Sequence, residues 1–383
     1  MYTADDYEEA ILFLESHIRQ AQDVYIRRLV RRLRAIEDAD YIDMIAIMTA
    51  MFEDTRVIRA AVFDAMLRCS EDIPRIMENV VQDSLHDPSF ERALAEAPEG
   101  TAEAISPQVE EMADEATKSL RTAFRGLTAT TVVSRAYRDA VNRGIEAIRG
   151  KRAGYRQAVD KIIEDCGEQG LQVRYASGAV RRLDSAARMN VTNAINQLAM
   201  ESNLRIGEEL GYDAIELSAH ADSAPDHEPV QGRVFLREEF DKMQAGDPAT
   251  DIDGVTYDGF PRPIGEWNCR HLPFAFSTKY SVRTYTPAQL DDLRRRNAVG
   301  ATIDGKHYSI YEIEQKMRRL ETDIRRQKDR AKACEAAGDH DGQAKCQQRI
   351  NALELRYGRT ARAAGIRPRY KRTEVPGFHK IRV

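Results

Sequence analysis

Apolar residues recur at intervals of three and four along most of the chain, a spacing that places them on one face of an α-helix. The first such stretch covers residues 5–37 and the second covers residues 41–67. Asp72, followed by Pro74, has the pattern of a helix start and predicts a third. Further helices are predicted at residues 109–148, 155–166, 177–210, 309–334 and 343–364. The N-terminal third is therefore predicted to be a helical bundle.

The helical period is lost in two parts of the chain. Residues 87–107 are rich in proline and glutamate, which predicts a solvated connection. Residues 170–175 alternate apolar and polar side chains and predict a short strand, and residues 212–220 predict another. From residue 221 to residue 276 Gly, Pro, Asp and aromatic residues predominate, which indicates loops and short strands.

These patterns predict a mainly α fold with a small α+β module. We expect a helical N-terminal region at residues 1–153, a loop-rich α+β module that contains His and Cys at residues 154–282, and a basic helical hairpin with a tail at residues 283–383. The last two predicted helices favour an antiparallel hairpin. Its predicted apolar seam places Ile310, Ile313, Met317, Leu320 and Ile324 against Ile350, Leu353 and Leu355.

Charge is distributed unevenly along the chain. The net charge is −5, yet residues 283–383 carry 24 Lys and Arg against 13 Asp and Glu, a net charge of +11. Basic side chains gain free energy by releasing counterions from phosphates, so this region could face DNA, and an acidic protein surface is an equal alternative. The candidate contact residues are Arg367, Arg369, Lys371 and Arg372. A second basic group, Arg27, Arg28, Arg31, Arg32 and Arg34, is interpreted as a solvated helix face.

Composition excludes several classes of protein. A chain with 42% hydrophobic and 31% charged residues is too apolar for wholesale disorder. The longest run without charge, Met189–Met200, is 12 residues, shorter than the roughly 20 that a membrane-spanning helix needs. The acidic N-terminus does not fit a targeting peptide, and five cysteines without a CxxC pair predict free thiols in a reducing compartment. The common nucleotide-binding, zinc-protease and serine-hydrolase motifs are absent.

One polar cluster in the loop-rich region remains as candidate chemistry. Its members are His220, Asp222, His227, Gln231, Gly232, Asn268, Cys269, Arg270 and His271. Histidine and cysteine are zinc ligands, but their spacing here matches no standard zinc module. Cys269 could instead be a nucleophile activated by a histidine. We favour a third interpretation, in which these side chains satisfy one another and hold the loops rigid, without catalysis, cofactor or metal.

The same residues carry a family resemblance. Ser218-Ala219-His220, Pro225-x-His227, Gln231-Gly232 and Asn268-Cys269-Arg270-His271 follow one another in the order typical of the minor capsid protein 2 family of tailed bacteriophages. That family is related to the MuF-like head-morphogenesis proteins. The resemblance covers roughly residues 154–372. It departs at residues 222–224, where this chain has Asp-Ser-Ala and the family commonly has Gly-Ala-Arg.

The resemblance implies a structural protein of the virion and no catalytic residues. Such a protein would be encoded by a phage or prophage, made in the bacterial cytoplasm, and located at the portal vertex or capsid interior. It would assist head assembly, DNA packaging or delivery. The implied partners are the portal protein, the major capsid or scaffolding protein and packaged double-stranded DNA, with no membrane.

Two other hypotheses stay open at the level of sequence. The first is a metal-assisted hydrolase that uses His220, His227, Cys269 and His271. The second is a basic nucleic-acid-binding adaptor without a capsid role, which would bind DNA with a steep dependence on salt.

Overall fold

A computed structural model describes residues 6–37, 43–149, 155–259, 262–265, 269 and 271–383. Across these ranges the chain forms eleven α-helices and nine strands of two to four residues. All strand pairs are antiparallel. The mainly α fold with a small α+β part is thereby confirmed. Among the described residues, no helix combines the length and the apolar character needed to cross a membrane.

The helices account for most of the chain. They are α1 (Glu8–Glu37), α2 (Met44–Leu85), α3 (Glu91–Glu96), α4 (Thr101–Thr130), α5 (Val133–Arg149), α6 (Tyr155–Gln169), α7 (Leu183–Glu209), α8 (Arg237–Ala245), α9 (Pro287–Val299), α10 (Ile310–Ala337) and α11 (His340–Ala363). The strands are β1 (Gln172–Arg174), β2 (Val180–Arg182), β3 (Ala214–Leu217), β4 (Val234–Leu236), β5 (Ala249–Thr250), β6 (Thr256–Tyr257), β7 (Pro273–Phe276), β8 (Ala301–Ile303) and β9 (Lys306–Tyr308).

The chain divides into two compact units, each built from three separate segments. The first unit comprises Met1–Ala10, Asp72–Arg121 and Met189–Lys316, and the second comprises Ile11–Glu71, Thr122–Arg188 and Met317–Val383. The chain passes between the units within α1, α2, α4, α7 and α10. The division into consecutive regions at residues 153/154 and 282/283 stays a prediction.

The first unit contains a three-stranded sheet in the order β4-β3-β7. Ile215 on the central strand pairs with Phe235 on one side and Ala275 on the other. All of β3 is buried, which explains its mostly apolar sequence. The associated core consists of Ile215, Leu217, Val230, Phe235, Phe240, Met243, Ala249 and Ile264. This sheet provides the rigid frame from which the polar loops emerge.

The second unit contains the C-terminal hairpin of α10 and α11. The Tyr357 hydroxyl donates a hydrogen bond to Glu321 at 2.7 Å, and Lys328 pairs with Glu354 at 3.4 Å. These contacts run in opposite directions along the two helices, so the antiparallel pairing is confirmed. The predicted seam was wrong at Leu355, which is exposed. Leu355 lies two residues beyond a buried Leu353, and a step of about 200° turns it to the other side of the helix.

Several predicted boundaries were wrong. The second and third predicted helices are one helix, α2, with Pro74 inside it. Buried side chains before and after the proline, including Ile73 and Met77, keep the helix continuous. The predicted connection at residues 87–107 contains a short 3-10 turn, α3 and the start of α4. The predicted helix at 177–210 starts only at Leu183, because residues 180–182 pair with β1.

The basic face of α1 is partly a charge-pairing surface, and its interpretation as wholly solvated was wrong. Asp54 of α2 is buried and forms salt bridges with Arg32 at 2.8 Å and Arg28 at 3.2 Å. The Tyr137 hydroxyl also donates to Asp54, at 2.6 Å. A buried carboxylate needs such partners, since desolvation of an unpaired charge costs several kcal/mol.

Candidate functional site

The antiparallel pairing of β3 and β7 brings the two halves of the polar cluster together. His220 follows the end of β3, and Cys269 and His271 precede the start of β7. Leu217 pairs with Pro273, so the end of one strand lies beside the start of the other. The pairing continues beyond the strands, because the Ser218 amide donates to the Leu272 carbonyl at 2.9 Å.

A tight turn brings His227 into the same place. The His227 amide donates to the Ala224 carbonyl at 3.1 Å, and the Gly232 amide donates to the Leu217 carbonyl at 3.0 Å. Gly232 has a φ of +68°, and a Cβ atom on it would lie 2.3 Å from the side chain of Leu290 in α9. Glycine is required at this position both for its backbone conformation and for the close approach of α9.

Two imidazole rings and one thiol meet at the centre of the site. Nδ1 of His227 lies 3.2 Å from Sγ of Cys269, and Nδ1 of His271 lies 3.7 Å from the same sulfur. All three residues are buried: His227 exposes 0% of its surface, His271 2% and Cys269 4%. These side chains therefore face one another in an environment shielded from solvent.

Hydrogen bonds on the far side of each ring fix its orientation. Nε2 of His227 lies 2.8 Å from the carbonyl oxygen of Arg262, so this nitrogen is the N–H donor of a neutral ring. Nε2 of His271 lies 3.2 Å from the Ser223 hydroxyl and 3.5 Å from Oε1 of Gln231. In both rings these partners leave Nδ1 as the acceptor nitrogen. Nδ1 of His271 faces Cys269, and Nδ1 of His227 faces both Cys269 and Nη2 of Arg262, which lies 3.5 Å away.

His220 and Asp222 extend the network toward the surface, and buried Gln231 supports it from within. The His220 ring stacks on the His271 ring with centroids 4.3 Å apart, and its Nδ1 lies 2.9 Å from the Asp222 carboxylate. Oε1 of Gln231 accepts a hydrogen bond from the His220 amide at 3.0 Å. The structure thus brings together most of the residues singled out in the sequence. Asn268 and Arg270 lie outside the described residues.

Burial sets the protonation of the central groups. Burial lowers the pKa of His271 well below its ordinary value, and the neighbouring His220 and His227 rings lower it further. Burial likewise lowers the pKa of His227 and raises the pKa of the Cys269 thiol. At neutral pH both imidazoles are therefore neutral and the thiol keeps its proton. A cysteine nucleophile requires the opposite shift, toward the thiolate.

Two residues that complete the site, Arg262 and Asn297, were missed at the level of sequence. Arg262 forms a bidentate ion pair with Asp226, at 3.0 and 3.1 Å. Asn297 in α9 donates to the Ser223 carbonyl at 3.2 Å and to the Glu228 carboxylate at 3.0 Å. No motif marks these residues, and only the fold brings them to the cluster.

The C-terminal basic residues belong to the second unit and differ in exposure. Arg367 and Lys371 are exposed, Arg369 is half-buried and Arg372 is buried. The tail is packed against α10 through its backbone. Arg325 donates to the Arg372 carbonyl at 2.8 Å, Lys328 to the Thr373 carbonyl at 3.0 Å, and Lys332 to the Pro376 carbonyl at 2.6 Å. Contact of the tail with DNA or an acidic surface stays a prediction.

Comparison with known proteins identifies one family. The model of the family described as phage minor capsid protein 2 matches residues 17–357, nearly the whole chain. This match includes the N-terminal helices, for which the sequence motifs gave no specific resemblance. No curated protein and no solved structure matches the chain.

Proposed function

The chain belongs to the phage minor capsid protein 2 family, and we propose that it acts at the portal vertex or on the inner surface of the capsid. Membership makes it a phage structural protein and a component of the virion. The proposed role is to assist head assembly, DNA packaging or DNA delivery. The family match over residues 17–357 is the observation that carries this proposal.

A structural role for the polar cluster follows from the same proposal. The His227 and His271 rings are hydrogen-bonded on their outer sides, and the Cys269 thiol is protonated and buried. Such a network holds loops in place because a buried polar group that loses its partner costs about 1–3 kcal/mol. We therefore propose that the cluster stabilises a docking scaffold and performs no catalysis.

An apolar face on α2 supports the assembly role. Its exposed side chains lie three, four or eleven residues apart, so they share one side of the helix. Ile45 is 79% exposed and Phe52 is 71% exposed. The face consists of Ile45, Met48, Phe52, Phe63 and Leu67. Exposed apolar patches of this kind mark protein interaction sites. The partner that we propose for this α2 face is a helical surface of the portal protein.

Binding to the isolated portal ring of the same phage tests this assignment. The double substitution Phe52→Ser with Phe63→Ser should weaken binding at least tenfold, which corresponds to about 1.4 kcal/mol. A matched control replaces the exposed ion pair of Asp64 and Arg68 on another side of α2 with serines. The control should bind like the wild type, since exposed ion pairs contribute about 0–1 kcal/mol. Equal binding by both double variants would contradict the assignment.

A further inference from the structure

The spacing of His227, Cys269 and His271 in the folded chain is that of ligands around a metal ion. Their three ligand atoms all lie within 4.8 Å of one another. The sulfur lies 3.2 and 3.7 Å from the two Nδ1 atoms. Tetrahedral zinc with bonds of about 2.3 Å to sulfur and about 2.0–2.1 Å to nitrogen separates S and N by about 3.6 Å. The two observed sulfur–nitrogen distances therefore lie on either side of the value expected around a bound ion.

The hydrogen-bond geometry of the two rings also favours a metal. The outer partners of both rings leave two Nδ1 lone pairs that face one sulfur. In the metal-free state the thiol has these two nitrogens and the His271 carbonyl oxygen at 3.9 Å as neighbours, and Nη2 of Arg262 also lies 3.5 Å from the His227 nitrogen. Zinc would accept electron pairs from both nitrogens and from the sulfur, since imidazole nitrogen and thiolate sulfur are the ligand atoms that it binds in proteins.

The surroundings supply the outer shell that metal-bound histidines require. His227 donates from Nε2 to a backbone carbonyl, and Nε2 of His271 lies near Ser223 and Gln231. Such outer partners fix the ring orientation and raise the basicity of the ligand nitrogen. The positive ion would also stabilise a thiolate in a site where burial otherwise keeps the sulfur protonated.

We propose that His227, Cys269 and His271 bind one zinc ion that joins the turn after residue 224 to the segment entering β7. Binding replaces the thiol proton: the S–H bond breaks, the proton leaves to solvent, and a Zn–S bond forms. The two neutral imidazoles bind through Nδ1 without losing a proton. The fourth position belongs to a ligand outside these three residues. This site is independent of the proposed partner of the virion protein.

Metal analysis of the full-length chain tests the site. Protein produced in zinc-supplemented medium should carry about one zinc per chain. After removal with a chelator, addition of Co²⁺ should produce a visible spectrum typical of tetrahedral cobalt, with a thiolate-to-metal charge-transfer band. Cys269→Ser should abolish that band and weaken zinc binding at least about 100-fold, since even loss of an outer partner costs 10–100-fold.

A second group of potential ligands provides the control. Glu164, Cys334 and Asp339 also lie within 4.8 Å of one another, in the second unit. Cys334→Ser should leave the zinc content and the cobalt spectrum unchanged. The proposal is overturned if folded wild-type protein, checked by circular dichroism, takes up no zinc or shows no thiolate band. It is equally overturned if Cys334→Ser, and not Cys269→Ser, removes the metal. The wild-type spectrum decides the matter even if the Cys269 variant does not fold.

Discussion

At the scale of single residues, the second unit contains a network of buried charged side chains. Asp184 is buried between Arg182 at 3.2 Å and Arg19 and Arg325 at 3.9 Å each. Arg182 also pairs with Asp329, at 2.5 Å. Burial by itself raises the pKa of Asp184, but the three arginines outweigh it and hold the pKa well below its usual range.

Asp184→Asn should therefore destabilise the protein in a pH-dependent way. At pH 7 we expect a loss of about 3 kcal/mol in the free energy of unfolding, because the buried arginines lose a partner. The depressed pKa contributes stability that is present above the unfolded value of about 3.9 and is lost as pH falls through the folded pKa. The difference between wild type and variant should thus shrink below about pH 4. Urea unfolding at several pH values measures it.

An exposed carboxylate provides the comparison for this effect. Asp139 faces Arg135 at 3.9 Å with most of its side chain in solvent. Asp139→Asn should cost less than about 1 kcal/mol at any pH. Equal effects of the two substitutions would show that the buried network does not carry the stability assigned to it.

Some residues of the polar cluster and of the basic face of α1 could be predicted from the sequence, and their partners could not. His220, His227, Cys269 and His271 could be predicted to form a cluster because they are rare residue types in an aperiodic region. Arg262 could not be assigned, since its contacts, a backbone carbonyl to His227 and a guanidinium to Asp226, arise only in the folded chain. The basic face of α1 could not be resolved either, because its buried partner Asp54 resembles any other helical aspartate.

At the scale of elements, periodicity predicted what local sequence controls. The helix α6, the β1 strand and the hairpin of α10 with α11 follow from spacing and turn residues. The continuity of α2 through Pro74 does not, since burial of neighbouring turns outweighs the lost hydrogen bond and the ring clash, which together cost about 3 kcal/mol. The start of α7 also depended on pairing with a strand, which local propensity does not reveal.

The junction between the polar loop and α9 gives a test at this scale. In Gly232→Ala the new side chain would sit on a residue with positive φ, and its Cβ atom would lie 2.3 Å from Cδ2 of buried Leu290. We expect a loss of about 3 kcal/mol, from backbone strain and overpacking together. Gly254 also has a positive φ, but a Cβ atom there meets nothing within 4 Å. Gly254→Ala should cost only about 1 kcal/mol. Thermal unfolding of both variants measures the difference, and similar values would contradict the packing role of Gly232.

At the scale of the whole molecule, the sequence predicted the fold class and the family. It did not predict that each compact unit draws on three distant segments, because contacts between remote stretches leave no local period. The uneven charge was visible in the sequence, yet the packing of the tail against α10 was not. The buried side chains of Arg325 and Lys328 donate hydrogen bonds to backbone carbonyls of the tail. Every residue has such a carbonyl, so the sequence does not indicate which ones accept these bonds.

Family membership makes this chain part of the virion, and particle composition tests that claim most directly. Quantitative mass spectrometry should be carried out on DNA-filled particles purified from lysate of the phage or induced prophage that encodes it. The protein should be present in a low, fixed ratio to the portal protein and should sediment with procapsids. Its recovery entirely in the soluble fraction free of particles would contradict the account.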